Sequence, residues 1–315
     1  MFISCGDALV DLFSQPADSA GGLTLGGHVG GSPLNVAVGL ARLNNPAAFL
    51  CKNSRDFIGQ RIYHYLQTNG VDTQWVIPTK HNSTLAMVEK NDDGSANYAF
   101  YIENTADVSL QTGDLPEAFP DSVRVIHFGS YSTVVEPTAS ALLAMARRES
   151  RQMVISYDPN IRLSIEADVD LWRSRFAEFS AVASFIKASD EDIAALFGDG
   201  KGIDEWAADC IAGGAALVAV TEGTNGATLF AADGRQTRSR PLSVVVADTV
   251  GAGDTFQAAC LHFFGAQRLL KGNELLSADT DLDELASFAT RAAAITCTRH
   301  GADLPTLVEV ESAKL

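Results

Sequence analysis

Short apolar runs that suit strands alternate with longer runs that suit helices along most of the 315-residue chain, and this alternation leaves few folds open. Met1–Phe13 reads as a strand with a glycine turn inside it. Pro33–Leu43 reads as a helix that is apolar nearly all round, hence buried. Then come the strand Ala47–Lys52 and the helix Phe57–Thr68. The strand Val123–Phe128, the helix Pro137–Arg148 and the strand Gln152–Tyr157 repeat the theme. The helix Leu171–Phe179 precedes a short buried strand, Val182–Lys187. Two helices, Glu191–Phe197 and Asp204–Ala212, lead to the strand Ala215–Thr221. Such a succession predicts an α/β fold, a mainly parallel, doubly wound sheet with helices on both faces.

Two regions break the pattern. Ser14–Gly30 is rich in glycine and polar residues. Ser83–Asp107 reads as two strands, Leu85–Lys90 and Ala96–Glu103, around the turn Asn91-Asp92-Asp93-Gly94. Neither contains a helix, so together they predict a small antiparallel flap, spanning about 12–29 and 83–107, beside the main sheet. With 46% hydrophobic residues the chain can bury the core of one large domain over 1–315 with this flap inserted.

Charge and cysteine usage narrow the partners. The net charge of −16 argues against nucleic acid, which demands clustered Lys and Arg. A small phosphate ligand stays possible, because helix N-termini and one or two cations can hold it. No stretch of about 18 or more purely apolar residues occurs, so no membrane span is expected. The opening Met1–Asp7 has no basic region and meets an acid early, so no secretory signal is expected either. The five cysteines, Cys5, Cys51, Cys210, Cys260 and Cys297, are scattered through apolar segments. They read as reduced, buried thiols of a cytoplasmic protein. No HExxH spacing points to zinc.

The stretch DTVGAGDTF, 248–256, carries the chemistry. Gly251, Ala252 and Gly253 lie between Asp248 and Asp254, and a helical run follows from Thr255 to Leu270. Small residues let the amides of Ala252, Gly253 and Asp254 converge, and the helix adds its positive dipole end. Such a nest attracts an anion, above all one that gains charge in a transition state. Asp254 beside it is placed to take a proton from an attacking hydroxyl. The helix terminus predicts a lowered pKa for Asp254, hence a carboxylate at neutral pH. An acid in a first turn also complements a helix dipole without any catalytic role.

The stretch resembles the C-terminal signature of the ribokinase-like sugar kinases, the PfkB family, which reads DTxGAGD. The family's N-terminal signature is matched by GGSPLNVAVGLARL, 30–43. FATRAAAITCTRHGAD, 288–303, is similar to the family's final helix and strand. The resemblance implies that Asp254 is the general base and that Gly251, Ala252 and Gly253 form the anion hole. It implies sugar contacts from Asp11, Gly31 and Asn35, with Gly30-Gly31 as the hinge of the flap. Asp11 is read as closing the first strand, and Ser32-Pro33 as an N-cap with proline at the first helical position.

YDPNIR, 157–162, places Asp158, Asn160 and Arg162 at the carboxyl end of a strand, where open α/β sheets bind ligands. It resembles the DPNxR of fructokinases and 2-keto-3-deoxygluconate kinases, in which the arginine lies near substrate and transferred phosphate. The resemblance implies a nucleotide site at KASDED, 187–192, with Lys187, Ser189 and Asp192; the same residues also read as a helix start, with Ser189 as N-cap and Asp190, Glu191 and Asp192 in the first turn. Ser189 and Asp192 stand where the family shows Asn-x-x-Glu, linked to magnesium through water. TEGTNGATLF, 221–230, with Thr221, Gly223 and Gly226, resembles the family's nucleotide loop. Thr290 replaces an asparagine near adenine. Asp248, Val250 and Gly301 resemble a monovalent-cation loop.

These resemblances imply ATP-dependent phosphorylation of a primary hydroxyl on a small sugar, with Mg2+ and a stimulating K+. GGSPLN is closer to the GGAPxN of fructokinases than to the GGKGAN of ribokinases, and FYIENTAD, 100–107, points the same way, with Tyr101 as a sugar contact. A 2-keto-3-deoxygluconate kinase, a ribokinase and a nucleoside kinase are the alternatives within the family. A regulator without catalysis is the alternative outside it, against which the intact Asp254 turn argues. A dehydrogenase is disfavoured because no GxGxxG follows the first strand. The flap is a candidate surface for homodimerisation.

Overall fold

A computed structural model describes residues 1–15, 21–90, 96–198, 200–240, 242–267, 270 and 272–313. The turn read at Asn91–Gly94 lies outside the described residues. In chain order the elements are β1 (Phe2–Cys5), β2 (Leu9–Gln15), β3 (Thr24–Gly30), α1 (Ser32–Arg42), β4 (Ala47–Ser54), α2 (Phe57–Thr68), β5 (Val76–Thr79), β6 (Thr84–Lys90), β7 (Ala96–Tyr101), β8 (Val125–Gly129), α3 (Thr138–Glu149), β9 (Val154–Asp158), α4 (Val169–Ser180), β10 (Phe185–Ser189), α5 (Asp190–Phe197), α6 (Ile203–Ala212), β11 (Leu217–Thr221), β12 (Ala227–Ala231), β13 (Gln236–Ser239), α7 (Ala252–Ala266), α8 (Leu282–Cys297) and α9 (Leu307–Ser312).

Nine of these strands form one sheet in the order β13-β12-β11-β10-β9-β8-β1-β4-β5. All neighbours are parallel except the edge pairs β11–β12 and β12–β13. Alternation along the central strands fills a core on each face of the sheet, and Phe49 and Cys51 of β4 join a third cluster with α1 and α2. Val125, Val154, Phe185 and Leu217 face α1, α7 and α8. Their neighbours Ile126, Ile155, Ile186 and Val218 face α3, α4, α5 and α6. Gly39 lets α1 approach α7, since a Cβ there would stand 2.8 Å from that of Ala258.

The remaining strands form a second sheet, β3-β2-β6-β7. It occupies the place of the expected flap, and its hairpin strands begin and end within two residues of the expected ones, but it is mixed and not antiparallel: β2 and β6 pair in parallel, while β2–β3 and β6–β7 are antiparallel. The first long strand, however, is two strands. Gly6 at φ +143° breaks it, and a Cβ there would stand 2.4 Å from Ser132 Oγ. Asp11 therefore sits inside β2 of the small sheet. Asp7 is the acid that follows β1.

The strand expected near Gly301 is absent among the described residues. Gly301 is left-handed (φ +68°), and its amide donates to Asp248 Oδ2 at 3.1 Å, so the chain turns where a strand would continue.

Candidate active site

The carboxyl ends of β1, β8, β9, β10 and β11 share one edge of the parallel sheet, and α7 begins there. Asp254 lies in the first turn of α7 and is 8% exposed. Its Oδ1 accepts from Ser32 Oγ at 2.6 Å and its Oδ2 from Asn35 Nδ2 at 2.8 Å. Both donors come from the first turn of α1. The cap of α1 is Gly31, at φ +115°, and not Ser32 as expected: Ser32 makes no capping bond because its hydroxyl is turned onto Asp254. The Oδ1 of Asn35 is buried without a partner among the described residues.

Burial raises the Asp254 pKa, and the bonds from Ser32 and Asn35 and the charges of Lys187 and Arg162 only partly offset it. The expected lowering by the helix terminus does not win. Desolvation of a buried carboxylate exceeds the effect of a dipole end.

Gly251 caps α7 in the left-handed region (φ +78°). A Cβ there would stand 2.7 Å from that of Ala302. The Ala252 amide turns inward to Thr249 O at 3.2 Å. The amides of Gly253 and Asp254 remain in the first helical turn, where no intrahelical acceptor exists. Gly253 also leaves room for a cation: a Cβ there would stand 3.0 Å from Lys187 Nζ.

That lysine, in the middle of β10, pairs with Asp158 at 2.8 Å, and both are buried. Burial alone would lower the Lys187 pKa, but Asp158, Asp192 and Asp254 together hold it above its ordinary value. Asp158, expected at a ligand from its place at a strand end, is 0% exposed; its Oδ2 accepts from the lysine and its Oδ1 has no partner among the described residues. Asn160 is left-handed at φ +41°. Arg162 is exposed, and its guanidinium donates to Ile161 O at 2.9 Å. Its charge acts against the burial of Asp7, Asp11 and Asp254 alike.

The small sheet presents one face to this edge. Asp11 is paired with His28 on β3 and Ala86 on β6, and Ala86 with Phe100 on β7. Paired residues share a face, so Phe100 lies on the Asp11 side and Tyr101 on the other, where it is 62% exposed. Tyr101, expected as a sugar contact, thus lies on the face away from Asp11, and Phe100 lies on the Asp11 face. Burial pushes the Asp11 pKa to about 6. Its Oδ2 packs over Gly30, where a Cβ would stand 2.7 Å from it. Gly31 lies against the Asp7 carbonyl, at 2.6 Å from a hypothetical Cβ.

Beyond Lys187 the expected nucleotide residues also gather. Asp192 Oδ2 accepts from the amide and hydroxyl of Ser189, at 2.9 and 2.7 Å, and its Oδ1 from the Ile161 amide at 2.7 Å. It thereby ties α5 to the loop that carries Arg162. Thr221, Gly223 and Gly226 form the tight turn between β11 and β12, with both glycines at positive φ. Thr290 on α8 donates to Ser239 Oγ at 2.6 Å. Asp248 holds the Val250 and Gly301 amides, each at 3.1 Å. No group of three or more His, Cys, Asp or Glu placed to hold a metal ion occurs among the described residues. A divalent cation here needs oxygen ligands from elsewhere, and nucleotide phosphates are such ligands.

Sequence reasoning passed over Asp7, and over Ser130, which is left-handed (φ +60°) and buried at the end of β8. Nothing in GSYS distinguishes a strained serine from an ordinary turn.

A carboxylate beside helix amides, with a buried lysine next to them, is the kind of grouping that phosphoryl transfer calls for. Residues 4–308 match the pfkB family carbohydrate kinases, and the chain belongs to that family. A fructokinase of Rhizobium leguminosarum bv. trifolii is 36% identical over 280 residues, covering 89% of this chain and 84% of that one. Fructokinase from Xylella fastidiosa, solved with bound ATP, shares the fold at a TM-score of 0.88 and 24% identity, over 99% of this chain and 97% of that one. A Vibrio cholerae O395 fructokinase double mutant, solved with fructose, ADP and a potassium ion, gives 0.83 at 25% identity over the same shares.

Proposed function

We propose that the chain is a fructokinase, transferring the γ-phosphoryl group of ATP to a primary hydroxyl of D-fructose. The observation that carries this reading is Asp254, oriented by Ser32 and Asn35 beside the free amides of α7. The sugar lies between Asp11, Asn35 and Arg162, with the small sheet as a lid over 12–29 and 83–107. Asp254 takes the hydroxyl proton as the oxygen–phosphorus bond forms and the bond to the ADP oxygen breaks. The Gly253 and Asp254 amides, Lys187 and Arg162 hold the charge of the transferred group.

ATP enters along Ser189, the 221–226 turn and Thr290. Mg2+ would be held through water by Asp192 together with the nucleotide phosphates, and would supply charge neutralisation. K+ is assigned to the loop of Asp248, Val250 and Gly301. We assign the lid's outer face to a homodimer, and the chain to the cytoplasm because its five cysteines are free, four of them buried. No helix among the described residues is long and apolar enough to cross a membrane.

The exposed Arg162 favours 2-keto-3-deoxygluconate as the second reading, because a carboxylate is its natural partner. A coupled ATP-consumption assay decides. D-fructose is expected to exceed D-ribose, adenosine and the keto-acid in kcat/KM. A keto-acid preference that disappears in Arg162→Ala would overturn the assignment.

A further inference from the structure

Four chain crossings join the small sheet to the large one: 6–8 between β1 and β2, Gly31 between β3 and α1, 80–83 between β5 and β6, and the segment after Tyr101. Two buried carboxyls sit where these crossings converge. Asp107, on the fourth, collects three hydroxyls. Oδ1 accepts from Thr84 at the third crossing and from Thr105 at 3.0 Å, and Oδ2 from Tyr131 in the main domain at 2.6 Å. Its carbonyl accepts from Thr138 on α3 at 2.9 Å.

Asp7, on the first crossing, is 1% exposed, and its carbonyl lies against Gly31 on the second. Its Oδ1 has no hydrogen-bond partner among the described residues. No salt bridge among those residues reaches either acid. The charge of Asp107 acts on Asp7, and burial raises the Asp107 pKa too, against the opposing bonds from Thr84, Tyr131 and Thr105. The charges of Arg162, on the loop after β9, and of Asp254, in the first turn of α7, also act on Asp7, and Tyr131 and Cys51 are the neutral titratable groups near it.

Resting on the sugar-kinase reading, we propose that Asp107 and Asp7 are positioning residues of the lid, an ionised knot and its protonated neighbour, which seat the lid over the sugar while the pair carries a single negative charge. The distribution of donors makes the assignment. The hydroxyls of Thr84 and Tyr131 donate to Asp107, and that of Thr105, shared with Ile102 O, adds to them, a set that suits a carboxylate. Asp7 Oδ1 receives none, and a second carboxylate in the same dry space would repel the first. Burial, followed by the charge of Asp107, pushes the Asp7 pKa up to about 8, so the proton is held at neutral pH and released just above it. Deprotonation places like charges across the root of the lid, and the sugar site loosens before the nucleotide site does.

The test measures KM for the sugar and for ATP from neutral to alkaline pH in wild type, Asp7→Asn and Thr84→Val. In wild type the sugar KM should rise severalfold through about pH 8 while the ATP KM holds. Asp7→Asn should flatten that rise, and Thr84→Val should raise the sugar KM at every pH. An unchanged rise in Asp7→Asn would overturn the proposal. An infrared arm needs no substrate. A protonated-carboxyl band present at neutral pH should vanish in the alkaline range and be missing from Asp7→Asn, with Asp7→Ala as the alternative if Asn does not fold. Its absence from wild type would sink the acid pair whatever sugar the enzyme accepts. Failure of every sugar in the panel with the band in place would instead strike at the kinase reading.

Discussion

Ser32 and Asp254 are 222 residues apart in sequence and 2.6 Å apart in the fold, joined by a hydrogen bond in which the serine donates. Removing that donor leaves burial of Asp254 less opposed, so its pKa should climb further. Ser32→Ala should therefore shift the acid limb of the kcat profile to higher pH. Fold and ATP affinity should be retained. A limb that stays in place would show that another group controls it.

Asp254→Asn keeps the shape and both orienting neighbours but cannot accept the proton. Turnover should fall by about 10²–10⁴-fold with nucleotide binding intact. Residual kcat above about a tenth of wild type would remove Asp254 from the base role.

Gly253→Ala places a methyl 3.0 Å from Lys187 Nζ, the far end of a flexible side chain. Stability should change little, yet the ammonium moves where the transferred phosphate must be met. A loss of kcat on the order of ten- to a hundredfold is expected, with a normal melting temperature. Gly251→Ala should instead destabilise, because its φ of +78° and the nearby Ala302 both resist a side chain.

Lys187→Met leaves Asp158 buried and unpaired. The expected loss is about 3–5 kcal/mol in chemical denaturation. The double variant Lys187→Met/Asp158→Asn should recover much of it while remaining inactive. A single variant as stable as wild type would mean that water reaches Asp158.

Asp11 has a folded pKa of about 6 against an ordinary 3.8, so the folded state binds the extra proton between those values. Stability contributed by this group is complete below about pH 4 and falls as pH rises toward about 6, then stays level. Asp11→Asn should flatten that slope. After allowance for partial solvation it should stabilise the protein at neutral pH by about 1–2 kcal/mol while weakening sugar binding. Thermal melts at acid and neutral pH read the slope directly.

The large sheet was legible because apolar periodicity is a local signal: α2 was read as Phe57–Thr68 and forms over those residues. The glycine turn before α7 was legible because small residues there serve backbone geometry. Side-chain partners were not. The Lys187–Asp158 pair spans 29 residues, and no local pattern announces which strand ends will be neighbours. A shift of one position separates Phe100 from Tyr101, and only strand register decides which faces Asp11. The helix-terminus argument for Asp254 omitted desolvation, a property of the finished fold.

The strand order carries a consequence for biosynthesis. From β8 to β13 each strand lies beside its predecessor, so this half can zip outward as it leaves the ribosome. β1 pairs with β4 on one side and β8 on the other, so one edge of the earliest strand stays open until Val125–Gly129 arrives. The face of α1 waits longer, since Val36 and Leu40 are covered by the core that includes Phe256 and Ala259 of α7. A nascent chain stalled before α7 thus holds a nearly complete sheet, an uncovered apolar helix and no Asp254, the form in which this protein is expected to need a chaperone most.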